Sequence, residues 1–374
     1  MSPTDTMKAV IFDGVLQVSV QDRPIPKIQN DDDVIIKVHM TALCGSELHV
    51  YRGIEPSTTG YIMGHEFTGT VVAAGHGVKS VQIGDKVVSP FTTSCGTCFF
   101  CVNSGTARCV NSQPLGSERL DGAQAEYVRV PQADGTIIKA PATIPDQALI
   151  LMADIFPTGY FGVKSALEMM PRLRTQDATI VVVGCGPVGL CAIASAAALH
   201  PRHLFAVDSV SNRLDQARNL GAEPLNFVAN KTGLKDRIAQ VTGGRGADIV
   251  VEVVGLSPAL RTAFDLVRPF GAISSIGVHN AEIPWSGAEA YKYVYPILFI
   301  TQYSDISSKN IRLQMGRCPV RSVFSEAMDL LVEIHHSLGF LFETVIPLSN
   351  AAEGYELFNQ SKVPKVIFHT ESIS

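Results

Sequence analysis

Thr179-Ile-Val-Val-Val-Gly184-Cys185-Gly186-Pro187-Val188-Gly189 is the stretch on which the fold turns. Its first five residues, mostly β-branched, read as a buried strand, and the G-x-G-x-x-G that follows breaks the run into a turn. Apolar residues then continue from Val188 to Leu199 as in a buried helix. Thr179–Leu199 as a whole is apolar and long enough to mimic a membrane span. Its glycines and Pro187 divide it, and the helix alone is too short to cross a bilayer at ~1.5 Å per residue. Gly184 permits the turn, Gly186 lets a phosphate approach the backbone, and Gly189 lets helix and strand pack closely. Asp208 ends the next apolar run, nineteen residues after Gly189, where a dinucleotide-binding unit carries its ribose-binding acid. A tight strand–helix turn without a ligand would use the same glycines.

Outward from this unit, strand-like and helix-like runs alternate: Leu204–Val207 and Asn212–Leu220, Ile249–Val253 and Pro258–Val267, then Ile273–Ile276. Such alternation predicts a parallel sheet flanked by helices. Upstream, from about residue 7 to 150, short runs such as Val34–Val38 and Thr68–Ala73 are separated by Gly, Asp and Pro, and helical patterns are scarce. The composition changes near Pro157. The tail carries a helical run over Phe324–Glu333 and a last short element at Val366–His369. The expected division is a β-rich domain over residues 1–156 with a lobe at about 91–112, an α/β domain over 157–300, and a segment over 301–374 that finishes the sheet and returns to the first domain.

A chain of 374 residues suits two domains. Apolar residues at 46% and charged residues at 17% are those of a globular protein rather than a disordered one. A net charge of −5 without a long Lys/Arg run argues against nucleic acid or an anionic membrane as partner. Met1–Gly14 shows no basic segment followed by an apolar core, so a cytoplasmic protein is expected.

Four of the eight cysteines form one array, Cys95-Gly-Thr-Cys98-Phe-Phe-Cys101 with Cys109 beyond. Two-residue gaps let a tight turn aim two sulfurs at one ion. Four thiolates close a tetrahedral shell around Zn²⁺ and leave no place for substrate, so this site is structural. Disulfides or free thiols are the alternative reading of the same residues. Cys185, Cys191 and Cys318 read as core or turn residues.

Three further segments carry metal-binding and proton-transfer side chains: Cys44-Gly45-Ser46-Glu47-Leu48-His49, Gly64-His65-Glu66, and Asp154 ahead of Pro157-Thr158-Gly159-Tyr160. Singly, each has an ordinary explanation as a core thiol, a satisfied His–Glu pair or a turn-capping acid. In this order, with the cysteine array and the glycine fingerprint, they resemble the zinc-containing medium-chain dehydrogenase/reductase family over nearly the whole chain. The resemblance implies a GroES-like, partly open β-barrel catalytic domain joined to a Rossmann domain.

The resemblance also implies a catalytic zinc bound by Cys44, His65 and Asp154. Glu66 lies behind the metal and is a fourth ligand in some relatives. Two zinc ions per chain follow. Many relatives have Cys in the place of Asp154, often Asp in the place of Glu47, and a basic residue where this chain has Gly45. Three protein ligands leave one zinc position for an alcohol, whose hydroxyl proton zinc acidifies. Ser46 takes that proton and His49 passes it to solvent through the nicotinamide ribose. Val188 and Thr158 contact the nicotinamide end, Ile276 and Val278 run along the cofactor, and Lys365 points towards the pyrophosphate. Phe91 and Tyr51 are candidates for the substrate pocket.

The reaction implied is hydride transfer between an alcohol and NAD, giving an aldehyde or ketone. NAD is favoured over NADP because Asp208 would repel a 2′-phosphate more than nearby Arg213 would attract it. A homodimer or homotetramer is expected. The alternatives are a formaldehyde dehydrogenase or dismutase, a zinc-free double-bond reductase on the same fold, and a non-enzymatic binding protein.

Overall fold

The computed structural model describes residues 5–229, 233–279, 281–291 and 309–370. The chain forms two units, one spanning Met1–Pro157 and Pro319–Ser374, the other Thr158–Cys318.

The first unit begins with a hairpin of β1 (Thr6–Gly14) and β2 (Gln17–Pro24). Five strands follow: β3 (Val34–Ala42), β4 (Glu66–Ala74), β5 (Lys86–Ser89), β6 (Tyr127–Val130) and β7 (Ile138–Lys139). β3 lies between β4 and β6, and β5 joins β4 to β7, all antiparallel. Alternate residues of β3, Val34, Ile36 and Val38, pack with Phe67, Val71 and Val128 in one core. Register shifts in the β3–β4 ladder bend the pair. Both strands run several residues beyond their β-branched centres, because the ladder continues through Met40–Ala42 opposite Thr68–Glu66. That extension carries the chain to the residues that matter next.

The second unit holds a parallel sheet of six strands: β8 (Thr179–Val183), β9 (His203–Asp208), β10 (Glu223–Asn226), β11 (Ala247–Glu252), β12 (Val267–Ser275) and β13 (Arg312–Met315). Their order is β10-β9-β8-β11-β12-β13. Every residue of β8 and β11 is buried, as strands covered on both faces require. Helices Pro187–Ala197, Ser211–Asn219, Gly233–Thr242 and Ser257–Leu266 separate the strands along the chain. β10, β13 and the helix Gly233–Thr242 have no counterpart in the sequence reading. β10 and β13 are half-buried edge strands without β-branched residues, and pairing rather than composition makes them strands.

After β13 the chain supplies helix Val320–Ile334 and strands β14 (Val345–Pro347) and β15 (Ile367–His369) to the first unit. β15 pairs antiparallel with β3. Leu348, Tyr355, Phe358 and Phe368 share a core with Val10, Leu43, Leu48 and Met63. Residues 301–308 of the expected returning segment lie outside the described residues. Among the described residues no helix is long and apolar enough to cross a membrane.

Candidate metal and cofactor sites

The Cys95–Cys109 lobe has almost no apolar interior. None of the residues of its short helix Phe99–Val102 is buried. Its four thiols instead face one another, with sulfur atoms all within 4.8 Å. The backbone N–H of Cys98 donates to Cys95 Sγ at 3.3 Å and that of Cys95 donates to Cys109 Sγ at 3.2 Å. Against the effect of burial, donors from Thr97 and Cys98 bring the Cys95 thiol down to about 6. Burial leads the rise of Cys101 to about 12. A closed set of four sulfurs, partly served by N–H donors, suits one tetrahedral zinc.

The second group sits where β3 and β4 end. Ala42, the last residue of β3, pairs with Glu66, the first of β4, so Cys44 and His65 leave neighbouring strand ends. Gly64 makes the turn into His65 at φ +101, and a Cβ there would lie 2.5 Å from the Gln124 backbone nitrogen, so only glycine fits. Asp154 follows the fully buried turn Ile150–Ala153. Cys44 Sγ stands 3.3 Å from Asp154 Oδ2, and His65 Nε2 stands 3.6 Å from the same oxygen. Donor atoms of Cys44, His65, Glu66 and Asp154 all lie within 4.8 Å of one another. Phe91 presents its ring edge-on to His65 at 6.1 Å.

Lys365 and Glu66 form an ion pair with side chains 1% and 0% exposed. Lys365 Nζ also donates to the Leu43 carbonyl at 3.0 Å. The residue expected towards the pyrophosphate thus has its ammonium committed inside the first unit. Glu66 Oε1 is buried with no partner among the described residues. With Cys44 as the thiolate and His65 neutral, the states zinc binding requires, a single lysine beside Cys44, Glu66 and Asp154 leaves negative charge that a divalent cation would balance. Without a metal, burial and Asp154 push the Cys44 thiol up. Burial opposes the charging of His65, yet Glu47, Asp154 and Cys44 hold it well above its ordinary value. One thiol, one imidazole and two carboxylates are a fitting set for zinc.

Ser46 is exposed and His49 half-buried, one turn apart on helix Gly45–Tyr51. Tyr51 is 7% exposed, with its ring 5.0 Å from that of Tyr355, a core position rather than a lining one. Sequence reasoning missed Gln124 and Tyr355. Tyr355 Oη donates to Gln124 Oε1 at 2.9 Å, and Gln124 Nε2 donates to Glu47 Oε1 at 3.3 Å. Neither residue carries a local motif.

In the second unit, Gly184 adopts φ +98 between β8 and helix Pro187–Ala197. A Cβ on Gly189 would lie 1.9 Å from the Gly184 carbonyl oxygen, whereas one on Gly186 would meet nothing within 4 Å. Gly189 is therefore required by packing, whereas nothing in the fold itself demands glycine at Gly186, which stands at the N-terminus of helix Pro187–Ala197. Asp208, 7% exposed, ends β9. Its Oδ2 accepts the Cys185 N–H at 2.8 Å and its Oδ1 accepts those of Ser209 and Val210 at 2.7 and 2.9 Å. Arg213 lies 3.9 Å away. Val188 is the second residue of helix Pro187–Ala197, and Thr158, 9% exposed, lies in helix Ile155–Glu168. Ile276 is 8% exposed and Val278 is 57% exposed, immediately beyond β12.

Residues 30–142 match the alcohol dehydrogenase GroES-like domain family, and residues 187–333 match the zinc-binding dehydrogenase family. Zinc-type alcohol dehydrogenase B of Aspergillus flavus is 55% identical over 98% of this chain and 82% of its own length. The medium chain reductase/dehydrogenase ucsI of Acremonium is 55% identical over 78% of this chain and all of its own. Among solved structures, alcohol dehydrogenase TADH from Thermus sp. ATN1 superposes with a TM-score of 0.86 at 32% identity, covering 98% of this chain and 100% of that one.

Proposed function

Since the chain belongs to the zinc-containing medium-chain dehydrogenase/reductase family, we propose that it interconverts an alcohol and the corresponding aldehyde or ketone with NAD(H) as hydride partner. The convergence of Cys44, His65 and Asp154 donors within 4.8 Å of one another, with Glu66 beside them, carries this reading. Bound zinc would acidify the substrate hydroxyl, and bound nicotinamide would accept the hydride. Cys44, His65 and Asp154 would hold the metal, with Phe91 packed edge-on against the His65 ring. Ser46 Oγ accepts the hydroxyl proton and His49 returns it to solvent. A zinc-free reductase would have no use for three convergent ligands.

Preference for NAD rests on Asp208. Three backbone N–H groups hold its carboxylate fixed beside the glycine turn. A 2′-phosphate brought there would face a charge that cannot swing away, and Arg213, 40% exposed, is too solvated to offset it. A spectrophotometric screen of alcohols, aldehydes and ketones with both nicotinamide cofactors, with product identification, tests both parts. Turnover by zinc-loaded protein with NAD(H) is expected. No turnover of any of these substrates would sink the enzymatic reading, and equal efficiency with NADPH would sink the assignment to Asp208.

A further inference from the structure

Glu47 is the end of a buried polar chain that starts in the C-terminal part of the protein. Tyr355 Oη donates to Gln124 Oε1, Gln124 Nε2 donates to Glu47 Oε1, and the same carboxylate oxygen lies 3.7 Å from His65 Nδ1. Glu47 Oε2 accepts the Cys44 N–H at 2.9 Å. Tyr355 and Gln124 are 0% exposed and Glu47 is 5% exposed. The polarity of the chain is fixed by chemistry. A carboxylate only accepts, so the amide must present its NH₂ to Glu47 and its oxygen to the phenol. The phenol is held well above its ordinary pKa by burial and by Glu47, so it keeps its proton and remains a donor.

Packing alone does not ask for this chain. Tyr355 sits among Leu43, Leu48, Met63 and Phe368, where phenylalanine would fill the same space. Gln124 is anchored through its backbone, its N–H donating to Met63 O and its carbonyl accepting from Val10, both at 2.8 Å. Its amide could be replaced by an apolar side chain of equal length. Burying a hydroxyl and an amide costs free energy unless their bonds are made, and the bonds made here lead to the two donors Cys44 and His65.

We propose that Gln124 and Tyr355 are positioning residues for the catalytic metal. They lock the Glu47 carboxylate, which has one more rotatable bond than aspartate, and through it the orientation of His65 and the backbone of Cys44. Outer-sphere groups that fix a ligating imidazole typically change metal affinity by about 10–100-fold. The inference rests on the reading of Cys44, His65 and Asp154 as metal ligands.

Gln124→Met, Tyr355→Phe and the double variant test it in the full-length, metal-loaded protein. Loss of catalytic-site metal to a chelator is timed, and the visible bands of cobalt-substituted protein are recorded. The bands that disappear in Cys44→Ala belong to the catalytic site. Gln124→Met is expected to speed metal loss about tenfold and shift those bands. Tyr355→Phe acts in the same direction and less, and the double variant matches Gln124→Met, since both substitutions cut one chain. Loss from the four-cysteine lobe stays at the wild-type rate and serves as control. Cys44-dependent bands that neither variant moves, with unaltered metal loss, overturn the positioning role alone. So do effects that multiply in the double variant. Absence of any Cys44-dependent band overturns the metal reading on which it rests.

Discussion

Gly186 and Gly189 stand three residues apart and answer to different demands. At Gly189 an added methyl group would press into the Gly184 carbonyl at 1.9 Å, so Gly189→Ala must move helix or strand. Gly189→Ala should lower thermal stability, at the scale of overpacking, about 1–3 kcal/mol. At Gly186 φ is −68 and the space beyond is open, so alanine is accommodated by the protein itself. Gly186→Ala should leave the melting temperature unchanged and weaken NAD(H) binding. Fluorescence titration of the cofactor against differential scanning calorimetry separates the two. Undiminished NAD(H) affinity in Gly186→Ala would remove the phosphate argument. Gly189 is legible from sequence because its demand acts between near neighbours in the chain, and Gly186 because it completes the G-x-G-x-x-G spacing. Gln124 and Tyr355 are not, since 231 positions separate them and neither means anything until the fold brings them together. Cys44 and Asp154, 110 positions apart, were legible only through the resemblance in motif order.

At the level of elements, the two metal groups differ in what holds their surroundings. The catalytic group sits on the ends of a long antiparallel ladder whose residues Val34, Ile36, Val38, Phe67 and Val71 are fully buried or nearly so. The four-cysteine lobe has an unburied helix, with Phe99 73% and Val102 65% exposed, and depends on its sulfurs. Cys98→Ala should therefore unfold the lobe locally, with faster hydrogen exchange over residues 95–112 and loss of one zinc per chain. Cys44→Ala should also cost one zinc and abolish turnover, yet leave exchange in β3 and β4 near its wild-type level. Equal disruption of β3–β4 by both variants would contradict this division. The same contrast explains what could be read in advance. Four cysteines in a tight local array announce themselves by spacing. Edge strands β10 and β13 did not, because their strand state comes from parallel partners rather than from their own residues.

For the whole molecule, metal and proton compete at one place in the first unit. In metal-free protein His65 is raised well above its ordinary value by Glu47, Asp154 and Cys44, in spite of burial. Its protonated form stabilises the fold at low pH, and that contribution is lost as pH rises through the raised value. Burial also raises Cys44 and Glu47, acids whose folded forms favour the proton, so they too cost stability as pH rises past their unfolded values. Zinc requires the opposite states, a thiolate and a neutral imidazole, so its binding releases protons and tightens with rising pH. Ligand binding to the folded state adds stability in proportion to the logarithm of its affinity. The difference in melting temperature between zinc-loaded and chelated protein should thus widen between about pH 6 and about pH 8. The effect belongs to the unit formed by Met1–Pro157 and Pro319–Ser374, which contains both metal groups. Hydrogen exchange in β8, β9 and β11 should be the same with and without chelator. The pH dependence should diminish in Cys44→Ala without vanishing, because the four-cysteine lobe also gives up thiol protons, Cys101 among them, when it binds zinc. A gap that stays constant or narrows with rising pH, or one that Cys44→Ala preserves in full, would place the proton release elsewhere than at Cys44 and His65.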